Sequence, residues 1–271
     1  MGLSAFLFLT KNLNLGIDFK GGIMVEAKFS EAPNLAILRD KIDKLQIGNS
    51  EIQEFGDSNT ILFRLEKIDD SNMTQEQIIQ KLKNELDDDT DYRRVEFVGP
   101  KVGKELKSIA IKAVFFSLIA MFIYIWFRFS GWQFGLGALV ALFHDVLSTM
   151  GFFSLTQIEF NLASIAAILT IAGYSINDTV VVFDRIREFF RIHKSWDNET
   201  TVNTALNSTL SRTLNTSLTT LIVLIAIFIF GGESIRGFMF ALIIGVMVGT
   251  YSSVFIATPI MFDSYKKKVN N

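Results

Sequence analysis

The stretch IAIKAVFFSLIAMFIYIWF, residues 109–127, carries a single charge, Lys112. A bilayer core about 30 Å thick is crossed by roughly 20 apolar residues in a helix, and soluble helices rarely run so far without a polar face. The run ends at Arg128, with Trp126 and Trp132 placed as aromatic anchors near one interface. Outward from it, four more segments meet the same test: 133–155, 160–183, 213–231 and 237–262. The fold expected is therefore an α+β membrane protein, with a polytopic helical bundle of five full transmembrane helices over 108–262. A cytoplasmic loop at 184–212 and a basic cytoplasmic tail at 263–271 complete that half.

Composition agrees with this split. Of 271 residues 49% are hydrophobic, Phe numbers 26 and Pro only 3. Residues 11–107 are ordinary and charged by contrast. A net charge of −2 gives no reason to expect nucleic-acid binding. With no cysteine there is no thiolate metal site, nucleophile or disulfide. His144 and His193, the two histidines, are too few for an ordinary zinc site. No metal, cofactor or catalytic residue is expected, and the chain reads as a transport protein rather than an enzyme.

Orientation follows from the basic residues. Arg185, Arg187, Arg191 and Lys194 follow the third span, and Lys266, Lys267 and Lys268 close the chain, whereas the connection 156–161 has no Lys or Arg. The positive-inside rule places the 184–212 loop and the C-terminus in the cytoplasm, so 11–107 falls outside. Residues 1–10, MGLSAFLFLT, are apolar but too short to span and lack the basic start of a signal peptide. They read as the remnant of a truncated first transmembrane helix, or as the mark of a start placed downstream of the true one.

Residues 17–98 alternate between periods of two and 3.6. Ile23 to Phe29 reads as a strand, and Asn34 to Leu45 as a helix with Leu35, Leu38, Ile42 and Leu45 on one face. Glu51–Phe55 and Thr60–Leu65 flank Gly56-Asp57-Ser58-Asn59 as a hairpin. Thr74 to Leu86 is a second amphipathic helix using Ile78, Ile79, Leu82 and Leu86, opened by a capping box of Thr74 with Gln77. Tyr92 to Val98 closes as a strand. The order βαββαβ predicts a ferredoxin-like extracytoplasmic domain over 11–107, whose role is binding, mechanical coupling or simple spacing.

Ionisable groups inside lipid cost about 2.5–3.5 kcal/mol each on insertion scales, so they usually face the bundle interior and act there. Asp178 lies in Gly173-Tyr174-Ser175-Ile176-Asn177-Asp178-Thr179, six residues before the expected end of the third span, about 9 Å deep. Asp184, at the headgroups, is expected to pair with Arg185 or Arg187. On the fourth helix Asn203, Asn207, Ser211, Asn215 and Thr219 form a stripe at every fourth residue, with Arg212 beside it. Such stripes serve helix–helix contact. Arg212 can snorkel to the interface or neutralise Asp178; protonating Asp178 would then release it, a simple switch. His144 and Asp145 fall near the midplane of the second span, as members of a proton relay with Asp178 or as a tertiary lock. The ion-coupling candidates are Asp178 and Arg212, with Asp145, His144 and Asn177 as further ones.

Several strings together resemble one family, the SecF subunits of the bacterial Sec protein-export accessory complex. They are Gly16-Ile17-Asp18-Phe19-Lys20-Gly21-Gly22, residues 98–106 (VGPKVGKEL), residues 173–179 with Phe183-Asp184-Arg185-Ile186-Arg187-Glu188, residues 211–220 (SRTLNTSLTT) and residues 249–257 (GTYSSVFIA). The resemblance runs from residue 16 to 257. It implies a bundle of the resistance–nodulation–division (RND) type, pairing with SecD as a pseudo-symmetric twelve-helix unit beside the SecYEG channel, with YajC as a further partner. It implies residence in the cell inner membrane, in contact with lipid and a translocating polypeptide, and use of the proton or sodium gradient to promote late export. The family's membrane Asp and Arg fall on Asp178 and Arg212. Three other readings stand beside it. An RND-type small-molecule or lipid exporter would carry two large outer loops and twice the helices. An intramembrane aspartyl protease would want Gly-x-Gly-Asp where this chain has Ile176-Asn177-Asp178. A passive scaffold would use the same charges as locks.

Overall fold

Alternation along β1 (Gly22–Lys28) sets the architecture of the charged half. Ile23, Val25 and Ala27 enter one core, and Met24 faces the other side, where it packs with Ile17 and Leu62. The computed structural model describes residues 2–45, 47, 50–65, 74–86 and 89–269. The chain divides into two units, Leu15–Ala110 and Met1–Asn14 with Ile111–Asn271.

In the first unit a short helix α2 (Ile17–Lys20) leads into β1; α1 (Gly2–Lys11) belongs to the other unit. Then follow α3 (Leu35–Lys44), β2 (Ser50–Phe55), β3 (Asp57–Leu65), α4 (Gln75–Glu85) and β4 (Asp91–Val98). The sheet is antiparallel in the order β2-β3-β1-β4, with Val25 opposite Phe63 on one side and Val95 on the other. Leu38 and Ile42 of α3 and Ile78 and Leu82 of α4 join Val25, Ile52, Ile61 and Phe63 in one core. Asn34 caps α3, accepting from Ala36 N at 2.9 Å. The capping box at Thr74 is present: Thr74 N donates to Gln77 Oε1 at 2.9 Å, and Gln77 N to Thr74 Oγ1 at 3.4 Å. The hairpin is tighter than expected. β3 begins at Asp57, and Gly56 takes the corner at φ +79°, a conformation open to glycine without a Cβ penalty. Phe63 is fully buried; Phe63→Ala should cost this unit about 3–5 kcal/mol, read as an earlier loss of strand signal in denaturant.

The double glycine before β1 packs against the start of the next helix. A Cβ on Gly21, at φ +78°, would lie 2.9 Å from Pro100 Cα, and one on Gly103 would lie 3.1 Å from the Phe19 carbonyl. That helix, α5, runs Pro100–Phe129.

The membrane half continues with α6 (Trp132–Thr156), α7 (Leu162–Ile192), α8 (Asn198–Phe230), α9 (Glu233–Ser252), a π-helical segment Ser253–Ala257, and α10 (Thr258–Val269). Among the described residues five helices, counting α9 through α10 as one, are long and apolar enough to cross a membrane. α1 packs along α6, where Ser154 Oγ donates to the Leu7 carbonyl at 2.8 Å. Phe129, Phe134 and Phe183 meet in an aromatic cluster with centroids 5.2–5.8 Å apart.

One expectation needs correction. Residues 184–212, expected as a loop, are mostly helical: α7 continues to Ile192 and α8 starts at Asn198, and no Gly or Pro interrupts the stretch. The turn between them stacks His193 on Trp196 at 3.8 Å. Asp197 caps α8, and Thr200, through its side chain and its backbone N–H, holds this exposed carboxyl below the usual carboxylate range. A depressed native value means the cap contributes fully above the ordinary carboxylate range and fades as acid protonates it. Protection of the Thr200 amide, measured against its intrinsic exchange rate at each pH, should therefore fall in acid, and Asp197→Asn, still a capping residue, should lose that pH dependence. The span expected at 237–262 contains the π segment. Pro259 lacks an N–H and crowds the carbonyl four residues back, Phe255, and the wider turn accommodates it.

Candidate functional site

α7 and α8 lie side by side, cross-linked at two rungs. Tyr174 Oη donates to Thr220 Oγ1 at 3.1 Å, and Arg185 Nε donates to Ser208 Oγ at 3.0 Å. Asp178 and Arg212 both fall between these rungs, so the two helices bring them to the same stretch of one interface. Asp178 is 4% exposed, and its Oδ2 has no hydrogen-bond partner. Arg212 is exposed, and its charge acts on Asp178 through space. Among the described residues no ion pair closes between them. A buried acceptor left open costs about 1–3 kcal/mol, and more when charged, so this oxygen is a costly point of the bundle. Thr213 Oγ1, next to Arg212 on α8, is buried and likewise without a partner. Asn177 is exposed on the neighbouring face of α7.

The polar stripe of α8 has a different phase from the one the Asn residues suggest. Thr201, Ala205, Thr209, Thr213 and Ser217 are the buried row, and Ser217 Oγ lies 2.6 Å from Thr250 Oγ1 on α9. Asn203, Asn207, Ser211, Asn215 and Thr219 are exposed in this chain, as is most of α8 beyond Ser217. Small residues let helices approach closely, and they, not the asparagines, face the bundle.

Asp184 pairs with Arg128 of α5 at 3.0 Å, rather than with its own helix's arginines; Arg185 turns instead to Glu188 at 2.6 Å. His144 Nδ1 lies 3.1 Å from Asp145 Oδ1, and its Nε2 lies 3.4 Å from Ser148 Oγ. Asp145, wholly buried, accepts at Oδ2 from Ser175 and Ser252. These serines, with Thr179 and Ser253, escaped the sequence reading as Asp145's surroundings. The only trace was their place in the strings around Asp178 and after Gly249. Among the described residues no three His, Asp or Glu side chains gather as a metal site.

Comparisons with known proteins give the family. Residues 78–267 match the family model of the SecD/SecF protein export membrane protein, C-terminal part, and residues 6–33 match the SecD/SecF GG motif, which contains Gly21 and Gly22. The chain is 46% identical to the protein translocase subunit SecF of Magnetococcus marinus, covering 96% of this chain and 85% of that one. It is 42% identical to the Rickettsia rickettsii subunit of the same name, over 100% and 88%. Among solved structures it is similar to SecDF of Thermus thermophilus, a translocon-associated membrane protein, with a TM-score of 0.83 and 33% identity over 98% of this chain. A SecDF structure in a super-membrane-facing form gives 0.71 with 32% identity over 99%. The chain spans 36% and 37% of those two longer chains. On these matches, the chain belongs to the SecD/SecF protein-export family, in its SecF branch of non-enzymatic translocase subunits.

Proposed function

We propose that this protein works with SecD beside SecYEG in the bacterial inner membrane, drawing on the proton or sodium gradient to promote the late stage of polypeptide export. The observation that carries the reading is the buried, unpartnered Oδ2 of Asp178 within reach of the Arg212 charge. Binding an ion there neutralises the carboxylate and lets Arg212 go; releasing it draws Arg212 back. One elementary charge moved through the membrane yields about 2.3 kcal/mol per 100 mV, enough to bias a two-state bundle. The sheet unit, a ferredoxin-like domain by strand order and helix placement, lies outside the membrane and passes the motion to the exported chain. Arg185, Arg187 and Arg191 at the end of α7, Lys194 after it and the lysines at the C-terminus lie in the cytoplasm. The exposed asparagine stripe of α8, Arg212 on its flank, and Gly173 with Asn177 on α7 face SecD. YajC is a further partner.

The test is reconstitution of the full chain with SecD and SecYEG in vesicles. An imposed gradient should raise the exported fraction, and an uncoupler should return it to baseline. Export indifferent to the gradient would refute the proposal.

A further inference from the structure

Among the described residues of the bundle, the carboxylate best provided with hydrogen bonds is not Asp178 but Asp145, and one of its partners, Ser175, lies three residues before Asp178 on α7. Ser175 on α7 donates to Asp145 Oδ2 at 2.6 Å, and Ser252, the last residue of α9, donates to the same oxygen at 2.8 Å. Thr149 Oγ1 donates to the Asp145 carbonyl at 2.8 Å. A second set lies alongside. Thr179 Oγ1 donates to Ser253 Oγ at 3.0 Å, and Ser253 Oγ reaches the carbonyls of Gly249 at 2.9 Å and Ser175 at 3.3 Å. Gly249 leaves no spare room: a Cβ there would lie 3.0 Å from Ser175 Cβ and 3.6 Å from Asp145 Oδ2.

Two consequences follow. The α7 residues held are Ser175 and Thr179, which bracket Asp178, whereas Asp178 Oδ2 is held by nothing. The α9 residues that hold them straddle the start of the π segment, where Thr258 Oγ1 donates back to the Ser253 carbonyl at 3.1 Å. Single π turns inside α-helices are frequent at functional sites. Both serines donate to Asp145, so it acts here as an acceptor joining three helices, with no open oxygen aimed at a passing ion.

We propose that Asp145 is a positioning residue for Asp178: through one shared oxygen it ties the Asp178 turn of α7 to the π segment following α9, keeping Asp178 in place and unbonded. The proposal rests on the reading of Asp178 as the ion-coupling group. It separates two roles that the residue types alone leave open, relay and lock. A relay needs the carboxylate itself, whereas a lock needs only an acceptor oxygen, which an asparagine amide also supplies.

The experiment measures gradient-driven export against pH in vesicles holding the complete complex, at matched abundance and melting temperature. The titratable groups around Asp145 are His144 on its own helix, Asp178 three residues along α7 from Ser175, and Tyr251 on α9, whose ring lies 6.2 Å from that of His144. Asp145→Asn should keep export within about twofold of wild type, and Asp145→Ala should not. Ser175→Ala and Ser252→Ala should each lower export about two- to tenfold, the size of one hydrogen bond. Together they should lose less than the product, because both bonds end on one oxygen. Each serine variant should also move the pH midpoint of export, which a lock unconnected to Asp178 would leave in place. Asp145→Asn as inactive as Asp145→Ala, or serine variants with an unmoved midpoint, would overturn the proposal. If Asp145→Ala does not fold, the serine variants still decide. Asp178→Asn in the same vesicles tells the two levels apart. Its loss of export with unmoved serine midpoints rejects only the positioning role, whereas its normal export removes the underlying reading and the positioning role with it.

Discussion

Asp178→Asn should insert, assemble with its partner and lose gradient-driven export. The substitution keeps the side chain's size and leaves polar atoms at the site, so packing of α7 on its neighbours should survive. What disappears is the ability to gain and lose charge. At 100 mV one charge biases a two-state equilibrium by about 2.3 kcal/mol, or roughly fiftyfold, and that whole bias should go. Arg212→Ala should behave similarly, because the remaining carboxylate no longer has a counter-charge to release. Arg212→Lys should rescue only in part, since an ammonium is a point charge and not a planar fork. The double variant, Asp178→Asn with Arg212→Ala, separates switch from lock. If the charges merely hold helices together, removing both restores export; if they switch, the double variant stays inactive.

Gly137→Ala should be among the most destabilising single-methyl changes in the bundle. The glycine is buried in α6 against the π segment, and a Cβ would collide with the Ala257 carbonyl and lie 3.1 Å from Met261 Cβ. The obstacle is backbone, which cannot rotate away, so the π segment itself must shift. Overpacking of this kind costs about 1–3 kcal/mol, against the gain of under about 1 kcal/mol that alanine brings to a helix. Gly173→Ala is the control, having nothing within 4 Å of the new methyl. In detergent, Gly137→Ala should lower the melting temperature of the isolated chain and Gly173→Ala should hold or raise it. Because Gly173 lies on the face assigned to SecD, its variant should weaken assembly instead. Equal melting temperatures for the two would contradict the packing described for α6.

The sheet unit was largely legible in the sequence because its signals are local. The alternation through Ile23, Val25 and Ala27, the faces of α3 and α4 and the Thr74–Gln77 box are each contained within one element. The hairpin differed, since Gly56 turns the chain alone, and the short helix α2 was not expected. The spans were legible from hydropathy, but their ends were not. Hydropathy marks where lipid stops, whereas α7 continues to Ile192 and α8 begins behind the Asp197 cap. The α8 stripe shows a second limit. Two rows of period four share that helix, and composition favours the asparagines, yet contact distance selects Thr201, Ala205, Thr209, Thr213 and Ser217. Asp178 and Arg212 were visible as charges out of place in lipid. The partners of Asp145 were not, because Ser175 and Ser252 lie 30 and 107 residues away, and nothing about a serine in a membrane helix announces which carboxylate it serves.

Infrared difference spectroscopy on the reconstituted complex, recorded as the external pH is lowered, tests the central claim most directly. A protonated-carboxyl carbonyl band should grow in the wild-type complex, vanish in Asp178→Asn and persist in Asp145→Asn. A band that survives in Asp178→Asn, or one that disappears with Asp145 instead, would mean that Asp178 is not the group that takes up the proton.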